Sequence, residues 1–371
     1  MKKLEPSKSA VRSASSPAAM GYSMPPEWAP HLATWLAFPH HRTDFIGKLS
    51  AVVGTFAEMA RVLAQGERVR VLVQDEFEQD RAALVFERAG VNVKQVDFLR
   101  QKTNRSWTRD SLPLWVTKPA ASRQSGKAAS DKLAVKFRFN GWARYRDHAS
   151  DDAAGHWVAK RFKRNFFPEL ESGERAVLEG GSIDVDETGT LLTTSECLLT
   201  SPRARYRRVG QEACERVLMQ SLGVKKIIWL PRGVAGDDTS GHVDDFARFA
   251  PKSRVLVCDE PNRRDENHAP LAAAQKALRD VTNARGRRLE IVKLPMPAPV
   301  YYAGARLPAS YANFLVANAA VLVPVFNDPR DRDALDIISE CFPDRPTVGI
   351  YARDLVMGLG TLHCSSMQEP L

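Results

Sequence analysis

Helical and extended periodicities alternate along almost the whole chain, and this alternation limits the fold more than any other feature. Val52, Val53, Phe56, Met59, Val62 and Leu63 recur at helical spacing, and the run stops at Gly66. Val69, Val71 and Val73 alternate as a strand, residues 76–89 return to a helical pattern closed by Gly90, and Val91 to Phe98 is extended. Further helices are expected near 153–166, 210–221, 270–284 and 330–341, with strands at Ile227–Leu230, Leu289–Leu294 and Val348–Tyr351. Val135, Phe137 and Phe139 alternate with Lys136, Arg138 and Asn140, the pattern of a strand with one wet face. These elements define an α/β protein, and the pattern alone points to a doubly wound sheet.

Residues 1–22 are rich in Ser, Ala and Lys and carry no apolar period, so a disordered tail is expected there. Residues 23–371 then form a single domain, interrupted by a mobile Lys/Ser/Ala-rich loop at 118–131. A hydrophobic fraction of 44% with 26% charged residues excludes disorder over most of the length. No apolar stretch reaches ten residues, so no membrane helix is expected. The first residues lack the apolar centre of a secretory signal, which makes the cytoplasm the expected location. Five cysteines, an odd number without a CxxC, argue against a disulfide framework and a structural zinc site. The net charge of +9 raises the question of nucleic acid. The basic residues are dispersed, and no nucleic-acid partner is expected. The densest cluster, Arg203, Arg205, Arg207 and Arg208 around Tyr206, is where one would bind.

Four stretches could carry chemistry. In Gly236 to Asp245, His242 and Asp244 stand two apart, so an extended backbone would turn both to one face. That segment is open to three readings: a shared pocket, an exposed turn, or a divalent-ion site built with Asp238. In Gly358 to Cys364, glycines allow close backbone approach, and Cys364 is the best nucleophile candidate. Cys197, Cys258 and Cys341 lie among apolar neighbours and fit buried packing. His363 would point away from Cys364 and is assigned a structural part. Trp107-Thr108-Arg109-Asp110 precedes an apolar strand and could be no more than an Arg–Asp ion pair. Leu178 to Asp184 brings Gly180-Gly181 close to some partner, and Asp186 to Gly189 is a hairpin turn. Phosphate-loop, GxGxxG and GxSxG patterns are absent.

These motifs occur in one order with Met24-Pro25-Pro26-Glu27-Trp28-Ala29-Pro30-His31 and Ser310-Tyr311-Ala312-Asn313-Phe314. Together they resemble the agmatine deiminase family, which includes bacterial peptidyl-arginine deiminases, over roughly residues 24 to 370. The resemblance implies a five-bladed α/β propeller of ββαβ-type modules with pseudo-fivefold symmetry. It implies hydrolysis of a guanidinium to a ureido group, most simply agmatine to N-carbamoylputrescine and ammonia. By the same match Cys364 is the nucleophile, His242 the general acid/base, and Asp110 and Asp244 hold the guanidinium. Asp238 contacts substrate, while Trp107, Glu179 and Asn313 line or support the pocket. Neither a metal nor an organic cofactor is implied. The expected partner is a small guanidino substrate, and association into a homo-oligomer is left open.

The chemistry suits these residue types. A guanidinium is planar and permanently charged, and carboxylates on two sides can clasp it while one face stays open. Its carbon is a poor electrophile, which calls for a thiolate. An acidic mouth of Asp110, Asp237, Asp238, Asp244 and Asp245 would attract a cation to a basic protein. Free or peptidyl arginine, amidino transfer to an amine, a metal-dependent hydrolase and a non-catalytic basic binding protein are the alternatives. Because Cys364 lies so near the chain's end, the C-terminal segment is expected to be packed.

Overall fold

The strands expected from the sequence form, but they do not join one sheet. The structure, a computed structural model, describes residues 16–118 and 131–371. In the first sheet β1 (His31–Ala37), β2 (Arg68–Val73) and β3 (Val96–Arg100) run parallel, linked by helices α1 (Leu49–Leu63) and α2 (Glu76–Arg88). The second sheet holds β4 (Leu114–Lys118), β5 (Asp131–Val135) and β6 (Asn165–Phe166), with α3 (Ala149–Lys160) between the last two. The third holds β7 (Ile183–Val185), β8 (Thr190–Thr194) and β9 (Lys226–Leu230), with α4 (Gly210–Leu222). The fourth is β10 (Ala247–Ala250), β11 (Arg254–Asp259) and β12 (Glu290–Pro295), with α5 (His268–Leu278). A short hairpin of β13 (Tyr301–Tyr302) and β14 (Ala305–Arg306) follows. The fifth sheet is β15 (Leu315–Val316), β16 (Val321–Val325) and β17 (Thr347–Tyr351), with α6 (Asp331–Cys341). Finally β18 (Met367–Pro370) returns to pair antiparallel with β1.

Five modules thus repeat one plan: an antiparallel step, a helix, then a parallel strand. A parallel neighbour needs a long crossover, whereas an antiparallel one needs only a turn. The extra antiparallel step in every module separates this α/β fold from the doubly wound sheet that alternation alone suggested. Among the described residues no sheet closes on itself.

Local sequence explains the elements. Helix α1 buries Val52, Val53, Phe56, Met59, Val62 and Leu63 on one side. Asp75 caps α2 by accepting the Glu78 amide at 2.9 Å. Gly223 ends α4 in a left-handed conformation (φ 65°), with the Tyr22 carbonyl so close that a Cβ would meet it at 2.1 Å.

That contact also corrects the expected tail. Residues 16–22 pack on α4: the Ala18 amide donates to the Gln220 carbonyl, and the Tyr22 ring is buried. Residues 1–15 of the expected tail, and 119–130 of the expected loop, lie outside the described residues. The strand expected through Phe139 ends at Val135. Lys136 does not face water; it is buried with its Nζ 2.7 Å from Asp152 Oδ1. The C-terminal segment is packed as expected, with β18 buried and the Leu371 amide bonded to the Pro30 carbonyl.

Candidate active site

The stretch just before the first strand of each antiparallel pair supplies the site. Trp107–Asp110 precedes β4, Glu179–Ser182 precedes β7, His242–Asp245 precedes β10, Ser310–Asn313 precedes β15, and Leu362–Cys364 precedes β18. These five stretches hold every candidate from the sequence except Asp238, which lies in the loop leading to His242.

The Cys364 sulfur is buried, 3.1 Å from Asn313 Nδ2 and 3.6 Å from Asp244 Oδ2. Asn313 pins the turn through Oδ1, which accepts from Thr361 Oγ1 (2.8 Å) and the His363 amide (3.1 Å). Burial and the nearby carboxylates of Asp244, Asp245 and Asp110 push the Cys364 thiol well above its ordinary value. A thiol whose pKa is raised gains thiolate only as pH climbs past the usual range. Alkylation of Cys364 by iodoacetamide in the free protein, followed by peptide mass spectrometry, is therefore expected to accelerate with pH and show no plateau below about pH 9. A plateau below that would contradict the assignment.

His242 and Asp244 do converge, although a 3₁₀ turn at Val243–Asp245 and not an extended strand brings them together. Gly181 marks the convergence: a Cβ there would lie 2.6 Å from His242 Nδ1 and 3.0 Å from both Asp110 Oδ1 and Asp244 Oδ2. The close partners of Gly181 are thus site side chains, whereas Gly180 abuts the Arg109 carbonyl. His242 is buried, with Nδ1 3.9 Å from Asp110 Oδ2 and Nε2 3.9 Å from Glu179 Oε2, and among the described residues neither nitrogen has a hydrogen-bond partner. Burial alone would lower its pKa, but Asp110, Cys197 and Glu179 outweigh that and raise it well above the ordinary value.

Asp110 accepts the Gly181 amide (2.9 Å) and the Trp142 indole N–H (2.8 Å), and burial raises its pKa. Burial would also raise Asp244, yet His363 Nδ1 at 2.7 Å and the surrounding cations hold it below the usual carboxylate range. Its other oxygen, Oδ1, is buried without a partner. His363, expected to be structural, bridges two carboxylates: its Nε2 contacts Glu27 Oε2 at 2.7 Å as its Nδ1 contacts Asp244, and Glu27 in turn accepts from Arg248. Arg109 does not pair with Asp110; it bonds the His363 carbonyl and Gln368.

A cavity of about 230 Å³ opens to the sulfur. Trp107, Asp110, Asp238 and Cys364 line it, together with Asp44, Arg105, Trp142, Tyr145 and residues 357–360. His242, Asp244, Glu179 and Asn313 stand outside this lining. The expected acidic mouth is only partly formed. Asp237 shapes its own loop by accepting the Gly241 amide (2.6 Å), and Asp245 is buried against Asn313 (3.1 Å).

Several functional neighbours escaped the sequence reading. Trp142 and Tyr145 follow the overextended strand assignment. Glu179 is held by Arg205 Nε at 3.0 and 3.1 Å, both side chains fully buried. That pair and buried Tyr206 take the middle of the basic cluster out of the surface. Cys197 lies beside His242 and Glu179 and not in purely apolar packing. Among the described residues, the sets whose ligand atoms gather within 4.8 Å are Glu179–Cys197–His242 and Asp244–Asp245–Cys364. The trio of His242, Asp244 and Asp238 weighed for a metal is not among them. No described helix is long and apolar enough to cross a membrane.

A buried thiol, two carboxylates and an imidazole thus gather around the Gly181 turn and the cavity. The family model of Porphyromonas-type peptidyl-arginine deiminases matches residues 23–370. The chain belongs to that family of guanidino-group deiminases. It is 33% identical to an agmatine deiminase of Stutzerimonas stutzeri, covering 96% of this chain and 97% of the relative. Its fold matches the agmatine deiminase of Enterococcus faecalis (TM-score 0.83, 28% identity, 96% and 98% covered). It also matches a C. jejuni agmatine deiminase solved with substrate bound (TM-score 0.80, 27% identity, 94% and 96% covered).

Proposed function

We propose that this protein hydrolyses agmatine to N-carbamoylputrescine and ammonia through a covalent S-alkylthiouronium on Cys364. The observation that carries this is Cys364 flanked by Asp110 and Asp244, with Asp244 Oδ1 buried and unpartnered. A guanidinium is the cation whose forked donors match that oxygen. Asp110 and Asp244 clasp it and present the central carbon to the sulfur. Its positive charge offsets the carboxylates that keep Cys364 protonated, so binding favours the thiolate.

The thiolate forms a C–S bond, and the adduct's nitrogen takes a proton from the His242 imidazolium. The C–N bond breaks, ammonia leaves, and the thiouronium remains on sulfur. Neutral His242 then accepts a proton from water as its oxygen bonds to the same carbon. The C–S bond then breaks with its electron pair going to sulfur, and the second water proton passes to solvent, leaving the ureido product, the Cys364 thiolate and the His242 imidazolium. Glu179, fixed by Arg205, orients His242. Asn313 keeps the sulfur turn in place.

Agmatine is favoured because the named relatives bear that activity and because the cavity suits a small linear guanidine better than a peptide. The five modules are then the blades of a propeller, each directing one pre-strand loop to the centre. All five cysteines are unpaired, in keeping with a reducing cytoplasm.

The test is a panel of agmatine, arginine and an arginine peptide, with ammonia and the ureido product both measured. Agmatine should give the two in equal amounts, insensitive to chelator and stopped by iodoacetamide. Turnover of arginine compounds alone would move the substrate, and consumption of guanidine without a ureido product would replace hydrolysis by transfer. Loss of activity with chelator would overturn the cysteine mechanism.

A further inference from the structure

Between β5 and α3 the backbone is left-handed at three successive residues, Gly141 (φ 66°), Trp142 (φ 56°) and Ala143 (φ 53°). Trp142 and Ala143 carry a Cβ, so they hold this conformation only because their surroundings impose it. The Trp142 ring packs edge-on against Phe139 (4.9 Å between centroids) and against Tyr145 (5.8 Å). Its indole N–H donates to Asp110 Oδ2 at 2.8 Å. Three residues on, the Tyr145 hydroxyl donates to Asp238 Oδ2 at 2.5 Å, and its ring carries the Arg105 guanidinium at 4.6 Å. Arg144 lies 3.8 Å from the same Asp238 oxygen.

Trp142, Tyr145, Asp110 and Asp238 all line the cavity. Asp110 is the deeper carboxylate, with 3% side-chain exposure against 13% for Asp238. One five-residue segment therefore holds both an inner and an outer anion by direct hydrogen bonds. We propose that Trp142 and Tyr145 are positioning residues that fix the separation of these two carboxylates, so that the cavity selects linear ω-aminoalkylguanidines by the distance between their cationic ends. This rests on the deimination reading above. The guanidinium end meets Asp110, and a terminal ammonium meets Asp238. Free arginine would bring a carboxylate toward Asp238, and peptidyl arginine brings no terminal cation. Burial and Asp238 raise the Tyr145 hydroxyl to about 12, so it remains a donor at working pH.

The test compares aminoalkylguanidines of three, four and five methylenes with n-butylguanidine, in the wild type, Tyr145→Phe and Trp142→Phe, with melting curves for each. The wild type should prefer one length by about tenfold or more in kcat/KM, the scale of a charge-assisted hydrogen bond, with n-butylguanidine below it. In Tyr145→Phe, KM for the preferred length should rise about tenfold, more than it does for n-butylguanidine, and the length profile should flatten. Trp142→Phe should lower kcat on every substrate, because it acts through Asp110. Should Tyr145→Phe fail to fold, Asp238→Asn takes its place and should flatten the profile in the same way. In Tyr145→Phe, or in Asp238→Asn in its place, an unchanged length profile or an equal loss on all substrates overturns the inference. Turnover of n-butylguanidine with no length preference in the wild type overturns it alone, whereas silence on every guanidine overturns the deimination reading and this inference with it.

Discussion

Exchange of Cys364 for alanine is expected to lower agmatine turnover by at least about 10⁴-fold, the scale of losing an activated nucleophile. The protein should stay folded. The sulfur makes two hydrogen bonds, accepting from Asn313 and donating to Asp244, and the backbone contacts of Cys364 to Asn313 and Arg109 survive the change. The remaining residues cannot replace it, because the bound cation needs an anion at attacking distance and the other nearby anions are the carboxylates that hold it. Affinity for agmatine should persist, since Asp110 and Asp244 are intact, and equilibrium binding by calorimetry separates binding from turnover. Retained turnover would remove Cys364 from the chemistry. Lost binding together with lost turnover would instead mean that the substitution had disturbed the carboxylates.

The parts of the site legible in the sequence share one property: their motifs are contiguous. Trp107 to Asp110, Leu178 to Asp184, Gly236 to Asp245, Ser310 to Phe314 and Leu362 to Cys364 each place polar residues just before a strand, and glycines stand within the second and third of them. What was not legible is pairing between them. Asp244 bonds His363, His363 bonds Glu27, Glu27 bonds Arg248, and Arg248 lies 3.4 Å from Asp184. That buried network runs through three modules, and no local pattern announces it. Arg205 looked like surface charge because its partner Glu179 stands in the preceding loop. Lys136 looked solvent-facing for a similar reason: its partner Asp152 is a turn into α3. The fold shows the same division. Periodicity located helices α1 to α6 and the strands β2, β3, β9, β12 and β17, but not β1, β11 or β16, and which strands pair depends on contacts between distant segments.

Trp142 shows the limit most clearly. Nothing in Gly141-Trp142-Ala143 signals three left-handed residues in a row, since only the first is glycine. The conformation is set from outside, by Asp110 and Phe139. A residue whose backbone is decided by its side-chain partners is invisible to local propensity.

Gly181 is where sequence and site meet most tightly, and Gly181→Ala should cost about a hundredfold or more in kcat/KM. The added methyl carbon would sit 2.6 Å from His242 Nδ1, far inside van der Waals contact, and 3.0 Å from an oxygen of Asp110 and of Asp244. Those three atoms are held from behind. Asp110 accepts the Gly181 amide and Trp142, Asp244 is bonded to His363, and His242 is enclosed by Glu179 and Cys197. None can yield without losing the alignment on Cys364. Gly181 has no left-handed backbone, so the chain itself tolerates alanine, and overpacking should lower stability by only about 1–3 kcal/mol. The loss of activity should therefore far exceed the loss of folded protein when kcat/KM is set beside the melting curve. Gly54, exposed inside α1 with nothing near its would-be Cβ, is the control: Gly54→Ala should stabilise by about 0.5–1 kcal/mol and leave turnover as it is. If Gly181→Ala behaved like Gly54→Ala, the convergence of His242, Asp110 and Asp244 on that turn would not be the catalytic arrangement.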